Sequence, residues 1–226
     1  MTAPASRAEI GATVARLLYE TGAIHVSLHQ PFMLAAGWAS PVYVDCRLLI
    51  GAAEVRRTLT GLAEALIASQ FPKTFDAIAG GETAGIPFAT LLAEQMNVPL
   101  RYVRKRPLGI GRHAQVEGGS VEGSRVLLVD DLTTDGTSKL AFARGLRSAG
   151  ALVDDALTIF HNDAFPGTIE RLREAHLELH WLAGWADVLR SDNLPVADRA
   201  AIERFLADPV DWSARHGGRS ARISRG

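Results

Sequence analysis

The residues best suited to chemistry stand in one run, Val126-Leu127-Leu128-Val129-Asp130-Asp131-Leu132-Thr133-Thr134-Asp135-Gly136-Thr137-Ser138. Four valine and leucine residues suit a strand buried on both faces of a parallel sheet, and ligands of open α/β sheets sit beyond the carboxyl ends of such strands. The spacing predicts that Asp130 and Asp131 emerge there. A helix predicted from Lys139 to Leu146 would gather the N–H groups and hydroxyls of Thr134, Thr137 and Ser138 at its N-terminus, where a phosphate is favoured. Adjacent carboxylates hydrogen-bond ribose hydroxyls or hold Mg2+. Acids and a phosphate cradle on one turn together describe a site for a phosphorylated ribose.

A second run, Arg101-Tyr102-Val103-Arg104-Lys105-Arg106-Pro107-Leu108-Gly109-Ile110-Gly111-Arg112-His113, carries five cations, and no carboxylate lies between Glu94 and Glu117. Such a loop seeks an anion. Its proline and two glycines, between two predicted strands, have the composition of a lid.

The elements that must position these residues alternate in type. Ile10, Val14, Leu17 and Leu18 mark one face of a first helix, and Val55, Leu59, Leu62 and Leu66 mark another. Between them, Pro31 to Leu49 reads as extended structure broken at Gly37 and Pro41. Strands are predicted at Phe75–Ala79, Leu100–Val103, Val126–Val129 and Val153–Phe160, with helices at Ile86–Met96 and 139–149 between them. The small residues of Gly80-Gly81-Glu82-Thr83-Ala84-Gly85 let backbone approach a ligand at the same sheet edge. A helix near Ile169–His176, a strand near Leu177–Leu182 and a helix near Arg199–Leu206 follow. Strand–helix alternation predicts an α/β fold with a doubly wound, mostly parallel sheet. One domain is expected over 1–212, with a small N-terminal hood from about 1–50. The Arg/Gly/Ser-rich residues 213–226 are expected to form a disordered tail.

Composition narrows the classes. The 226 residues suffice for a full core in one domain. With 24 Lys+Arg against 25 Asp+Glu, no global charge favours nucleic acid. Cys46 is the one cysteine, which excludes an intrachain disulfide, and its type predicts a buried small hydrophobe. No basic-then-apolar leader and no span-length apolar stretch are visible, so a cytoplasmic protein without membrane contact is expected. His25, His29, His176, His180 and His216 show no metal-ligand spacing, and Trp181 and Trp185 are expected to pack.

The run 126–138 resembles the signature of type I phosphoribosyltransferases, an apolar strand, two acids and a Thr/Gly-rich loop that binds phosphoribosyl pyrophosphate. Response-regulator receivers also end a strand in paired acids, but near the domain start and with later elements not seen here. Arg104-Lys105, the basic glycine-containing loop and Val116-Glu117-Gly118-Gly119 are similar to the orotate phosphoribosyltransferases. So are Phe32-Met33-Leu34-Ala35-Ala36-Gly37-Trp38-Ala39-Ser40-Pro41-Val42-Tyr43 and Gly85-Ile86-Pro87.

That resemblance implies transfer of phosphoribose from phosphoribosyl pyrophosphate to N1 of orotate, with Mg2+, as one step of pyrimidine synthesis. It implies that Asp130 and Asp131 contact ribose and the metal's shell, the metal being held mainly through substrate and water. Leu132 and the loop Thr133, Thr134, Asp135, Gly136, Thr137, Ser138 would hold the 5-phosphate, and Thr134 would touch orotate. Arg104, Lys105, Arg112 and His113 would meet pyrophosphate, usually from the neighbouring subunit of a homodimer. The sequence also departs from the family. Leu108 and Ile110 stand where a lysine and a histidine are common, with Arg112 and His113 as candidate replacements, and Ala35 and Ala84 replace common lysines. His161-Asn162-Asp163 stands where many members have an Asp-Arg whose arginine grips the orotate carboxylate. Either backbone amides near Ala36 and another cation hold that carboxylate, or the base is not orotate. A phosphoribosyltransferase for another base, and a non-catalytic sensor of phosphoribosyl pyrophosphate, are the alternatives.

Overall fold

A computed structural model describes residues 5–27, 29–71, 74–107 and 115–220. Helix α1 (Arg7–Glu20) opens with a reciprocal cap, in which the Ser6 hydroxyl accepts from the Glu9 N–H and the Glu9 carboxylate accepts from the Ser6 N–H. Four short strands follow, β1 (Ile24–Val26), β2 (Phe32–Met33), β3 (Ala39–Ser40) and β4 (Val42–Val44), paired β1 with β4 and β2 with β3, both antiparallel. A 3-10 helix (Cys46–Ile50) then leads into α2 (Ala53–Gln70).

The central sheet begins at β5 (Ala77–Gly81), followed by α3 (Gly85–Met96), β6 (Leu100–Val103), β7 (Val116–Glu117), β8 (Val126–Thr133) and α4 (Thr137–Ser148). The chain continues through β9 (Asp155–His161), α5 (Thr168–Glu174), β10 (Glu178–Gly184), α6 (Trp185–Arg190), α7 (Val196–Ala207) and α8 (Pro209–Arg215). The six-stranded sheet has the order β10-β9-β8-β5-β6-β7, parallel except for β7. β5 pairs with both β6 and β8, so consecutive connections leave in opposite directions on its two sides, and a crevice opens at the strand carboxyl ends.

Alternation along β8 divides the core. Leu127 and Val129 join α1, α2 and α3 through Ile10, Leu59 and Phe88, while Val126 and Leu128 pack with Phe142, Leu146 and Leu172 of α4 and α5. Helices therefore cover both faces, the doubly wound arrangement expected. Helix α1 lies against β10 and α6, so the first helix is part of the cover of the main sheet.

Two local expectations change. β8 does not stop at Val129; it runs through both acids to Thr133, because β9 offers a ladder as far as Thr133↔His161. Trp181, in β10, and Trp185, which opens α6, both pack against core, as expected. Residues Ser213 to Ser220, expected as disordered tail, are held in place. The buried Ser213 hydroxyl accepts from the Ala39 N–H at 2.9 Å and donates to the Arg219 carbonyl, and the Arg219 N–H donates to the Gly37 carbonyl at 2.7 Å.

Candidate active site

At the carboxyl end of β8 the acids are not the solvated pair that a strand-end turn implies. Asp130 is buried, and its Oδ2 lies 2.6 Å from Lys139 Nζ, itself almost wholly buried in the first turn of α4. Lys139 also donates to the Leu132 carbonyl. A buried carboxylate persists as a charge only with such a partner. Asp131, whose N–H donates to Asp130 Oδ1, has no ion-pair partner among the described residues and is partly open to the crevice. Burial, reinforced by the Asp130 charge and opposed by Lys139, pushes its carboxyl up to about 6.

Close approach builds the neighbouring wall. Gly85, at the start of α3, lies so near β8 that a Cβ there would meet the Val129 carbonyl oxygen at 2.5 Å. The β5–α3 turn is thus brought beside Asp130. A cavity of about 550 Å³ lies between them, lined by Glu82, Thr83, Lys105, Asp131, Ser138 and Lys139 among others. A second cavity, of about 420 Å³, is lined by Leu34, Ala35, Tyr43, Asp131, Thr134 and Asn162 among others. Arg47, Asp131 and Leu132 line both. Arg47 is oriented by a bidentate contact to Asp45, at 2.6 and 2.8 Å.

The turn after β8 is shorter than the loop expected. Thr133 belongs to the strand and is buried, with no partner for Oγ1 among the described residues. Thr134, Asp135 and Gly136 form the turn, and Thr137 and Ser138 already lie in α4. Asp135 accepts from the N–H and the hydroxyl of Thr137 at 3.1 and 2.7 Å. Gly136 adopts φ 75°, the left-handed region in which only glycine is unstrained. From the other side, Thr168 donates to the Thr134 carbonyl and Arg171 to the Asp135 carbonyl, both at 2.7 Å. The turn is therefore anchored by α5.

The basic run divides by role. Arg101 donates to the Ser120 and Leu100 carbonyls, which makes it structural. Arg104 is not free of carboxylates: its guanidinium lies 3.7 Å from Glu82 and 3.6 Å from Glu117, and it donates to the Tyr102 hydroxyl. Lys105 lines the cavity of its own chain, and its N–H donates to Glu82. Leu108, Ile110, Arg112 and His113 lie outside the described residues.

His161 ends β9 beside this site, and Asn162 follows it. His161 is buried, with no partner for either ring nitrogen among the described residues, and burial lowers its imidazole below the usual histidine range against the opposing Asp163. Cys46 is buried, as its type predicts. Among the described residues no group of three or more His, Cys, Asp or Glu side chains could hold a metal.

Comparison with known proteins decides the family. The phosphoribosyl transferase domain family matches residues 52–163. An orotate phosphoribosyltransferase of Cereibacter sphaeroides is 47% identical over 211 residues, covering 91% of each chain. The chain belongs to the orotate phosphoribosyltransferase family. A second relative of that name, from Rhizobium meliloti, is 42% identical over 217 residues and covers 94% of each chain. The crystal structure of orotate phosphoribosyltransferase from Aeropyrum pernix superposes with a TM-score of 0.67 at 32% identity, over 78% of this chain and 96% of that one. Within this family member, three wall residues were not singled out from the sequence: Lys139, Glu82 and Arg47. Lys139 carried the one available signal, a lysine in the first turn of a helix that follows two acids.

Proposed function

We infer that the protein transfers the phosphoribosyl group of phosphoribosyl pyrophosphate to orotate, giving orotidine 5'-monophosphate and pyrophosphate. One observation carries the reading: two cavities at the β8 carboxyl end share Asp131, Leu132 and Arg47, so a sugar phosphate in one meets a planar base in the other at a common wall. The larger cavity, with Lys105, Ser138 and the β5–α3 turn, suits phosphoribose and pyrophosphate. The smaller, with Thr134, Asn162 and the Leu34–Ala35 edge, suits the base.

The reaction needs an electron-poor ribose C1 stabilised while the pyrophosphate departs, and water kept away. Ionised Asp131 faces the ribose hydroxyls and holds them, while Asp130, neutralised by Lys139, keeps the strand end rigid. The α4 N-terminus and the Thr134–Ser138 turn hold the 5-phosphate. Lys105 offsets charge that develops on the leaving group, with Arg112 and His113 as further cations. Among the described residues Asp131 is the one unpaired carboxylate of the acid pair, so the donor set fits a Mg2+ ion that takes most of its ligands from pyrophosphate and water. That ion would neutralise the leaving group. Arg112 and His113 are assigned to the neighbouring subunit's site in a homodimer, and the single buried thiol agrees with a cytoplasmic protein. The test is the loss of orotate ultraviolet absorbance with phosphoribosyl pyrophosphate and Mg2+, with uracil, nicotinate and adenine as competing bases. Consumption of orotate alone is expected, and turnover of another base without orotate would replace the reading.

A further inference from the structure

Asn162 is almost wholly buried, 4% exposed, immediately after β9, where its N–H donates to the Thr133 carbonyl at 2.8 Å. Its side chain has one orientation open to it. The indole N–H of Trp185, 3.0 Å away, points at the carboxamide, and an indole nitrogen can only donate. The Ala164 N–H points at the same atom from 3.4 Å. Two donors converge on one end, so that end is Oδ1 and the opposite end is the amide nitrogen. Among the described residues none accepts from Nδ2, and Asn162 lines the smaller cavity, facing Leu34, Ala35 and Thr134. Trp185 is itself fixed, buried and set edge-on to Phe160 at 5.1 Å between ring centroids.

We propose that Asn162, held by the Trp185 indole, presents its Nδ2 hydrogens to an acceptor oxygen of the base and so selects the substrate of this pocket. The proposal rests on the reading of the smaller cavity as the base site. A donor that lines a cavity favours a ligand with an acceptor there and penalises one without it, because a ligand that covers the amide hydrogens without accepting from them strips their water without replacement. Asn162 then acts as a binding residue and Trp185 as a positioning residue.

Asn162→Asp separates the two ends of the side chain. A carboxylate still accepts from Trp185 and Ala164, so folding is retained, but the end facing the cavity becomes an acceptor with negative charge. The expected result is a rise in KM for orotate of about ten- to a hundredfold, with KM for phosphoribosyl pyrophosphate within about twofold of wild type. Trp185→Phe keeps the ring against Phe160 and removes the N–H, freeing the carboxamide to turn; a rise of about two- to tenfold in the same constant is expected. An unchanged orotate KM in Asn162→Asp, with wild type active on orotate, overturns the proposal and leaves the proposed function standing. Equal rises in both KM values also overturn it, since they mark a structural role. Should Asn162→Asp not fold, the Trp185→Phe split decides alone. Wild-type enzyme that leaves orotate untouched overturns the base-site reading and this proposal with it.

Discussion

Lys139 Nζ and Asp130 Oδ2 lie 2.6 Å apart, both buried, at the point where β8 meets the first turn of α4. The pair joins a strand end to a helix start in a sheet that otherwise meets α4 through apolar contacts such as Phe142. Removing one partner strands the other as a buried charge, whereas removing both leaves a neutral gap. Lys139→Met is therefore expected to lower unfolding free energy by about 3–5 kcal/mol, and the double variant with Asp130→Asn to recover most of the loss. Urea unfolding of the four proteins measures this. Additive losses would show that the two groups act independently.

Asp131 titrates near 6 in the folded chain, above the ordinary carboxylate range. Between about pH 4 and 6 the folded state holds this proton more tightly than the unfolded state, so the group lowers stability as pH rises through that window. Asp131→Asn removes the penalty, and its Tm at pH 7.5 should exceed that of wild type, the gap closing toward pH 4. Turnover runs the other way. Wild-type kcat/KM should climb through about pH 6 as the carboxylate ionises, and Asp131→Asn should lose most activity at every pH. A variant with wild-type rates would remove Asp131 from the site.

Lys105 and Asp131 line one cavity of one chain, which changes what mixed subunits should do. A Lys105→Ala subunit paired with an Asp131→Asn subunit leaves one site with no lesion and the other with two, if the cation acts across a boundary; if it acts within its chain, both sites are damaged. The geometry predicts no recovery for this pair. Arg112→Ala mixed with Asp131→Asn should recover, since Arg112 is assigned to the neighbouring site. Arg112→Ala alone should slow turnover by about one to two powers of ten, with partial rescue by Leu108→Lys. Activity of each mixture after verified subunit exchange is the measurement.

Gly136 combines φ 75° with a crowded neighbour, as a Cβ would lie 3.0 Å from Leu172 Cδ2. Gly136→Ala should cost about 1–3 kcal/mol and raise KM for phosphoribosyl pyrophosphate more than KM for orotate. Thermal unfolding together with both KM values checks this; equal KM values in variant and wild type would detach the turn from the phosphate.

The apolar run Val126–Val129 and the alternation of strands and helices made the sheet legible, because local pattern suffices where burial is uniform. What followed Val129 was harder. Two acids and three threonines read as a turn, yet the strand continues, since Asp130 is neutralised by a lysine from the next helix and β9 supplies the ladder. Arg101 and Arg104 read as free cations because no carboxylate is near in sequence. Space supplies Glu82 from the β5–α3 turn, Glu117 from the antiparallel neighbour and the Ser120 carbonyl. Asn162 could be seen as a departure from the family, but the orientation of its amide depends on Trp185, which another element delivers.

The bonds from Ser213 and Arg219 to the turn around Gly37 tie amides 174 positions apart in the chain, as between Ala39 and Ser213. Amide hydrogens on the two sides are then released by one opening event and belong to one cooperative unit. The same turn carries Leu34 and Ala35 on the wall of the smaller cavity. A ligand seated there would slow deuterium uptake at Arg219 without touching it, so the far end of the chain reports on occupancy of the base pocket.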